Sequence, residues 1–504
     1  MKVLVTGGTG VVGHAVLAAL LERGNHIRLL SRNARHDSAE WADRVEPLPG
    51  DVSRADLVQG AAEGCDAVVH IAGIVSESDD QTYESVNVNG TRLVLAEAER
   101  AGVRRFVFIS SLGAERGQSG YHQSKRKAEE LVRKFRREWV IVRPGNVYGP
   151  GDEVISLILK LIRTAPMMPV IDEGEQKFQP VWHEDVGRAI ALAIDSKDVV
   201  GQALDIAGPD VTTMNDLLDR LSTITGKSPT RVPLPGALAS LGARAAAALG
   251  MGLPVDDAQI KMLNEGNVIR GAGGNALDTV LGIAPTPLSV GLRKLADSLP
   301  EQLPSDGVGG MRRKRFWADV ANSPMTPEAL FETFRTQFGE FMPIETGNEP
   351  GTAGRIPEVG ETLTMSLPVR GTIQVRVEEM NPRDMTLSTL EGHPIAGAVR
   401  FLAETRGEFL RFEVQVYERA ANLLDLIAMR TIGDILQNSN WEQLVTSVID
   451  ATGGQSFEGV QYESETLDQE QAKLIEEWLE DLIAGRKREA NDPRAVSRVP
   501  EVHR

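Results

Sequence analysis

Tyr121 and Lys125 stand four residues apart in the run Tyr121-His122-Gln123-Ser124-Lys125, and a strand-like run ending in Ile109-Ser110-Ser111 precedes them. On a helix, four-residue spacing puts both side chains on one face, one above the other. An ammonium beside a phenol favours tyrosinate and draws the phenol pKa down from about 10. Tyr121 can then exchange a proton with a substrate hydroxyl or carbonyl. Ser110 or Ser111 would polarise the substrate oxygen. His122 points about 100° away around the helix and receives no role. A Tyr-x-x-x-Lys spacing alone is common on surface helices. The strand-end serine pair and the glycine-rich turn described next make it specific.

Such proton chemistry needs an electron carrier, and the start of the chain offers a place for one. In Lys2-Val3-Leu4-Val5-Thr6-Gly7-Gly8-Thr9-Gly10-Val11-Val12-Gly13, Val3, Leu4 and Val5 read as a short buried strand, and the glycine-rich turn runs into an apolar-periodic helix, Ala15 to Arg23. Gly7 permits the tight turn, Gly10 lets backbone approach a pyrophosphate, and Gly13 lets the helix pack on the strand. The free amides at Val11, Val12 and Gly13 would face the phosphates. The second strand ends at Leu30 and is followed by Ser31-Arg32-Asn33, with no acid for an adenosine 2′-hydroxyl. Arg32 offers a planar cation to a 2′-phosphate and Ser31 a hydroxyl, which favours NADP(H), with NAD(H) as the alternative. Asp51 and Val52 can take the adenine amine and ring face. Ala72 and Gly73, small residues after the fourth strand, admit close backbone approach. Asn87 can brace that strand, and Lys125 can reach the nicotinamide ribose.

The elements that must position these groups follow from alternation. Strand-like runs Val3–Val5, Ile27–Leu30, Ala67–Ile71, Arg105–Ile109 and Trp139–Val142 interleave with helical segments 13–23, 53–63, 81–101 and 121–137. This pattern predicts an α/β Rossmann-type, doubly wound parallel sheet with ligands at the strands' carboxyl ends. Helices at 152–164, 183–195, 213–226, 235–249 and 256–265, with a strand Gln202–Ala207, would form a small substrate lobe.

Near residue 300 the texture changes. Residues 301–315 read as a linker ending in the basic run Arg312-Arg313-Lys314-Arg315, taken as a solvated end rather than a nucleic-acid contact. A helix, Pro327 to Phe338, precedes strand candidates Glu361–Pro368, Gly371–Glu379, Met385–Glu391, Ala396–Glu404 and Glu408–Arg419. A long helix from Leu423 to Thr452 follows. That order describes an α+β domain over 316–455 whose sheet wraps a helix. Residues 456–504 read as an acidic helix, Asp468 to Ile483, and a disordered tail.

The 504 residues are too many for one ordinary domain. A net charge of −17, from 54 Lys and Arg against 71 Asp and Glu, argues against nucleic-acid or anionic-membrane partners. Cys65 is the single cysteine, so neither an intrachain disulfide nor a Cys-based metal site is expected. With no leader pattern and no continuous apolar run, the expectation is a cytoplasmic protein acting on a small molecule, without a metal or an integral membrane segment.

The residues quoted above, together with Arg143-Pro144-Gly145-Asn146-Val147-Tyr148-Gly149-Pro150-Gly151, make the first 300 residues resemble the short-chain dehydrogenase/reductase superfamily, extended and atypical branches. The resemblance implies Tyr121 as catalytic acid/base, Lys125 as its partner and Ser111 as the polarising hydroxyl. It also implies that backbone from Pro144 to Val147 orients the nicotinamide carboxamide. Ser111 and Tyr121 are closer together than is usual in the superfamily, which implies a trimmed loop and leaves Ser110 as the alternative hydroxyl. Gln179-Pro180-Val181-Trp182-His183-Glu184-Asp185-Val186 and the segment 232–260 are similar to the atypical group that includes the dehydrogenase-like accessory subunit of respiratory complex I. Members of that group can hold nucleotide without turnover. From Phe316 to Thr452 the element order resembles helix-grip domains of the START or polyketide-cyclase type, which enclose an apolar cavity. His393, Arg400, Arg411 and Asn438-Ser439-Asn440-Trp441 are the polar candidates there.

The expected function is therefore an NADP(H)-dependent oxidoreductase acting on a carbonyl or alcohol, on a hydrophobic substrate if the second domain is a lipid-type cavity. The alternatives are a non-catalytic NADPH-binding assembly or sensor protein, and a nucleotide-sugar epimerase or dehydratase.

Overall fold

The computed structural model describes residues 1–490 apart from 79, 153, 165–166, 172–173, 226–227, 235–266, 271–272, 343–355, 368–370 and 422–433. The helices expected at 235–249 and 256–265, the start of the one expected from Leu423, and the tail end lie outside the described residues. The chain groups into two compact units that divide in sequence between Ser298 and Leu299.

In the first unit, strands Lys2–Thr6 (β1), His26–Ser31 (β2), Val45–Pro49 (β3), Ala67–His70 (β4), Arg105–Ile109 (β5) and Glu138–Pro144 (β6) form one sheet. Asn146–Tyr148 (β7) pairs with Pro180–Trp182 (β8) apart from it, and Ala203–Ile206 (β9) completes the main sheet. Its order is β9-β6-β5-β4-β1-β2-β3, all parallel. The order reverses between β1 and β4, where a doubly wound sheet opens its ligand crevice.

These strands read as unbroken apolar runs because both faces are covered. Val3, Val5, Val69 and Val107 pack on helices Val11–Glu22 (α1) and His183–Ala193 through Leu17, Leu20, Val186 and Ile190. Leu4, Val68, Phe106 and Phe108 face helices Thr91–Arg100 (α2) and Gly120–Val132 (α3) through Val94, Leu95, Ala128 and Val132. A smaller core around Tyr148, Phe178 and Trp182 gathers helices Ile155–Thr164, Met214–Thr225 and Leu288–Asp297 into the lobe. The helix expected at 53–63 shrinks to Ala55–Val58, because Gln59 is extended and Gly60 takes φ +85°. The helix expected from 81 begins instead as a π-helical turn, Glu84–Gly90, feeding α2.

The second unit is a separate antiparallel sheet. Its seven strands, in spatial order, are Thr362–Leu367, Gly371–Met380, Asp384–Thr389, Ile395–Arg406, Phe409–Ala420, Val308–Val320 and Gln461–Thr466. Phe316, Val377, Phe401, Phe412 and Val414 cover one face and meet Leu330, Phe331 and Phe334 of helix Pro327–Thr336 and Leu444, Val445 and Val448 of helix Asp434–Asp450. A third helix, Gln469–Ala490, sets Trp478 against Tyr417 on the opposite face.

The linker expected at 301–315 is corrected here. Its basic run lies inside a thirteen-residue strand, Val308–Val320. Each cation meets an acid of a neighbouring strand: Lys314 Nζ is 3.0 Å from Glu418, Arg315 is 2.6 Å from Glu413 and 3.1 Å from Glu463, and Arg313 pairs with Glu465. Lys314 is only 1% exposed. The strand Gln461–Thr466, which carries Glu463 and Glu465, was likewise absent from the expectation.

Candidate functional site

The glycine-rich turn joins β1 to α1 at the mouth of the crevice. Gly7 has φ +75°, and a Cβ there would sit 2.5 Å from Ala72 N. A Cβ on Gly13 would meet the Gly7 carbonyl at 2.3 Å, whereas one on Gly10 would find open space. Gly10 caps α1 without any side-chain bond, leaving the first-turn amides at Val11, Val12 and Gly13 with no intrahelical acceptor. This is an anion-ready helix terminus built against Ala72 at the end of β4.

At the end of β2, Arg32 is exposed and makes no hydrogen bond or ion pair among the described residues. Ser31 Oγ donates to the Asp37 carboxylate and accepts from Asn33 N at 3.3 Å. The Asp51 carboxylate has a local task, with Oδ1 accepting from Ser53 N at 2.8 Å and Ser53 Oγ at 2.7 Å. Val52 is buried against Gly90.

Asn87 lies in the π-helical turn and is 1% exposed. Its Oδ1 accepts from Ile74 N at 2.8 Å, and its Nδ2 donates to Ile74 O at 3.0 Å and Ser124 Oγ at 2.9 Å. It therefore braces the segment after β4, rather than the strand itself, and ties that segment to α3. A Cβ on Gly73 would come within 3.1 Å of both Asn87 Oδ1 and Lys125 Nζ, so the backbone there passes close to both.

Lys125 is 4% exposed, and its Nζ donates to Ile109 O at 2.9 Å, 6.0 Å from the centre of the Tyr121 ring. Burial pushes its pKa down to about 8, against the opposing pull of Glu129. Tyr121 is half-buried, edge-on to the Tyr83 ring at 6.4 Å. Tyr83 donates its hydroxyl to Val75 O at 2.8 Å and fills the space over Gly120, a contact that sequence reasoning missed.

The two strand-end serines differ. Ser110 Oγ donates to Glu129 Oε1 at 2.6 Å, in a pocket where Arg143 holds the same carboxylate at 2.6 and 2.8 Å. Ser111 Oγ accepts a long 3.4 Å bond from Gly113 N. Pro144 is buried with its carbonyl accepting from Leu112 N at 2.9 Å, and Val147 is half-buried opposite Val181. His122 is buried, its ring filling the space beside Gly113 and Gly117 and so seating the short loop between Ser111 and Tyr121. His70, beneath the crevice, bonds Thr6 Oγ1 at 2.7 Å and Thr91 Oγ1 at 3.0 Å. Burial, reinforced by Lys125, pushes it down to about 3, so it is a neutral structural imidazole.

In the second unit, His393 Nδ1 accepts from Ile395 N at 3.0 Å within a turn, and burial pushes its pKa down to about 4. Arg411 forms a bidentate pair with Asp319 at 2.7 Å, and Arg400 lies 3.4 Å from Asp384 and over the Trp478 ring. Those three side chains have local partners. Trp441 Nε1 and Asn438 Oδ1 are buried with none, and Trp441 stacks edge-on against Phe401. Ser439 is exposed and Asn440 half-buried. No group of three or more His, Cys, Asp or Glu poised to hold a metal occurs among the described residues. None of their helices is long and apolar enough to cross a membrane.

Residues 3–207 match the model of the NAD dependent epimerase/dehydratase family. The chain is 31% identical over 243 residues to a ceramide reductase of Caulobacter vibrioides, spanning 47% of this chain and 75% of that protein. It is 32% identical over 261 residues to sterol demethylase protein B of Methylococcus capsulatus, 47% of this chain and 78% of the other. To the Arabidopsis thaliana mitochondrial NADH dehydrogenase [ubiquinone] 1 alpha subcomplex subunit 9 it is 26% identical over 239 residues, 46% of this chain and 60% of that one. Relatives of this kind include NAD(P)-dependent reductases and dehydrogenases. Since it spans three quarters of the ceramide reductase at 31% identity, the chain belongs to the NAD dependent epimerase/dehydratase family.

Proposed function

We propose that the first unit is an NADP(H)-dependent oxidoreductase acting on a carbonyl or alcohol of an apolar substrate. The observation that carries this reading is the buried Lys125 ammonium, held by Ile109 O on the Tyr121 side of α3 and beside Gly73. A dinucleotide bound along Gly7–Gly13 and Gly73 would supply or accept the hydride. In the reducing direction Tyr121 gives its proton to the oxygen of the substrate carbonyl, and Lys125 stabilises the phenolate left behind. Ser111 donates to that same oxygen. Ser110 is spoken for by Glu129, which favours Ser111 between the two. Gly10, Val11, Val12 and Gly13 face the pyrophosphate, Ala72 and Gly73 the nicotinamide ribose side, and Pro144 to Val147 the carboxamide. Asp51 retains Oδ2 for the adenine amine, over Val52.

The exposed Arg32 supports NADP(H), and it weighs against the epimerase or dehydratase alternative with tightly held NAD⁺. An apolar substrate is supported by the names of two relatives, a ceramide reductase and a sterol demethylase protein. For the second unit, two helices closed over one sheet face, one of them carrying the buried, unpartnered Asn438 Oδ1 and Trp441 Nε1, support a helix-grip cavity for such a ligand. A cytoplasmic setting fits the single cysteine and the acidic charge. One observation favours a second reading, nucleotide binding without turnover: the likeness to a subunit of NADH dehydrogenase.

Thermal-shift titrations with NADPH, NADP⁺, NADH and NAD⁺ should raise Tm most with the phosphorylated pair. Equal shifts would remove the role of Arg32, and no shift would remove the cofactor. On an apolar carbonyl substrate, Tyr121→Phe should cost roughly 10²–10⁴-fold in kcat. Tight NADPH binding with no turnover across an apolar carbonyl panel would favour the second reading.

A further inference from the structure

Glu129 lies one turn beyond Lys125 on α3 and is 1% exposed. Four donors converge on its carboxylate: Ser110 Oγ at 2.6 Å, Arg143 Nε at 2.8 Å, Arg143 Nη2 at 2.6 Å and Arg133 Nη2 at 3.0 Å. They come from three elements, and each of those elements carries part of the proposed site. The same helix holds Tyr121 and Lys125. Ser110 is fused to Ser111 at the end of β5, and Arg143 immediately precedes Pro144 at the end of β6. We infer that Glu129 is the positioning residue of the site, locking these three elements in register and holding the charge of Lys125 toward Tyr121. The inference rests on the reading of Tyr121 and Lys125 given above.

Glu129 and Lys125 are four residues apart on one face of α3, so the carboxylate acts on the ammonium as well as on the frame. The charge acting on Lys125 is that of Glu129, favouring its ammonium against burial. Facing Lys125 from the sheet is His70, neutral at ordinary pH. Around Glu129 stand Arg133 and Arg143, with Glu115 and Asp205 each 3.5 Å beyond Arg143. Removing the Glu129 charge leaves Lys125 less protonated, and an unprotonated amine no longer favours tyrosinate at Tyr121.

The test reads one tyrosine of five, as the difference in tyrosinate absorbance between each protein and its Tyr121→Phe counterpart during a pH titration. Glu129→Gln is isosteric and should raise the apparent Tyr121 pKa by about half a unit or more. Glu129→Asp keeps the charge but shortens the reach, and should leave that pKa nearer the wild-type value. A strut would give the opposite order, with Asp more disturbed than Gln, and an unchanged Tyr121 titration in Glu129→Gln would also overturn the inference. If Glu129→Gln alone does not fold, pairing it with Arg143→Met removes both charges of the buried pair and avoids stranding the guanidinium; it should shift Tyr121 in the same direction. NADPH fluorescence is read in parallel. Failure of the wild-type protein to bind NADPH would bring down the cofactor reading, while the tyrosine titration would still decide the role of Glu129.

Discussion

The two sheets of this protein solve the same burial problem with opposite chemistry. The parallel sheet hides its strands between helices on both faces, and the central strand residues Val3, Leu4, Val5, Val68 and Val69 are all fully buried and apolar. The antiparallel sheet buries an aromatic face too, yet one of its inner strands is written Arg312-Arg313-Lys314-Arg315, with Glu413 and Glu418 buried on the strand beside it. Apolar burial tolerates loss of volume in proportion to the atoms removed. Buried ion pairs tolerate the loss of both partners far better than the loss of one.

That contrast can be broken by mutation. Lys314→Met leaves the buried Glu418 carboxylate with Arg312 at 2.7 Å as its remaining cation and should cost the second unit about 1–3 kcal/mol in urea unfolding, while adding Glu418→Leu should restore most of it, since the half-buried Arg312 can turn to water. If the double variant were no better than the single, the pair would be an asset in its own right and the contrast would fail. In the parallel sheet, Val69→Ala should cost about 2 kcal/mol through lost transfer energy and a cavity. Refilling that volume from a neighbour is the only repair expected, since no charge is left behind.

A smaller effect concerns acid. His70 and His183 in the first unit, and His393 in the second, are pushed down to about 3, 4 and 4 by burial. Their folded values lie below the ordinary imidazole value, so between about pH 6.5 and 4 the unfolded chain takes up protons that the folded chain refuses. Each histidine thus gives stability that is complete above pH 6.5 and drains away as pH falls through this window. His70→Gln should flatten that decline for the first unit and leave the second unit's profile as it was. Parallel pH profiles for wild type and variant would show that His70 is protonated in the folded state after all.

How much could be read from the chain differs between the units for the same physical reason. Strands buried on both faces announce themselves as apolar runs, and the glycines at 7 and 13 each meet a steric need in the turn, whereas Gly10 faces open space. Tyr121 and Lys125 are four apart on one helix, so local geometry suffices to join them. Glu129 and Ser110 are nineteen apart, brought together by the stacking of α3 on β5, and no local pattern links them. The strand Val308–Val320 was hidden because its charges imitate a solvated segment, and their partners lie about a hundred residues or more away at Glu413, Glu418, Glu463 and Glu465. The Asp-x-Ser turn that Asp51 forms through Oδ1 with Ser53 is legible in the sequence, being local.

Asn87 has a consequence for how variation in this segment can spread through the first unit. Its amide grips both the N–H and the C=O of Ile74 and reaches Ser124 as well, while Tyr83 holds the carbonyl of Val75. The stretch between Val75 and Tyr83 is therefore closed at its base, its two ends held together by the Tyr83 hydroxyl. Its far end meets the neighbouring helix, since the Tyr83 ring lies edge-on to Tyr121 and over Gly120. A change at Tyr83 therefore reaches the Tyr121 ring directly, whereas a change at Asn87 first loosens the segment after β4.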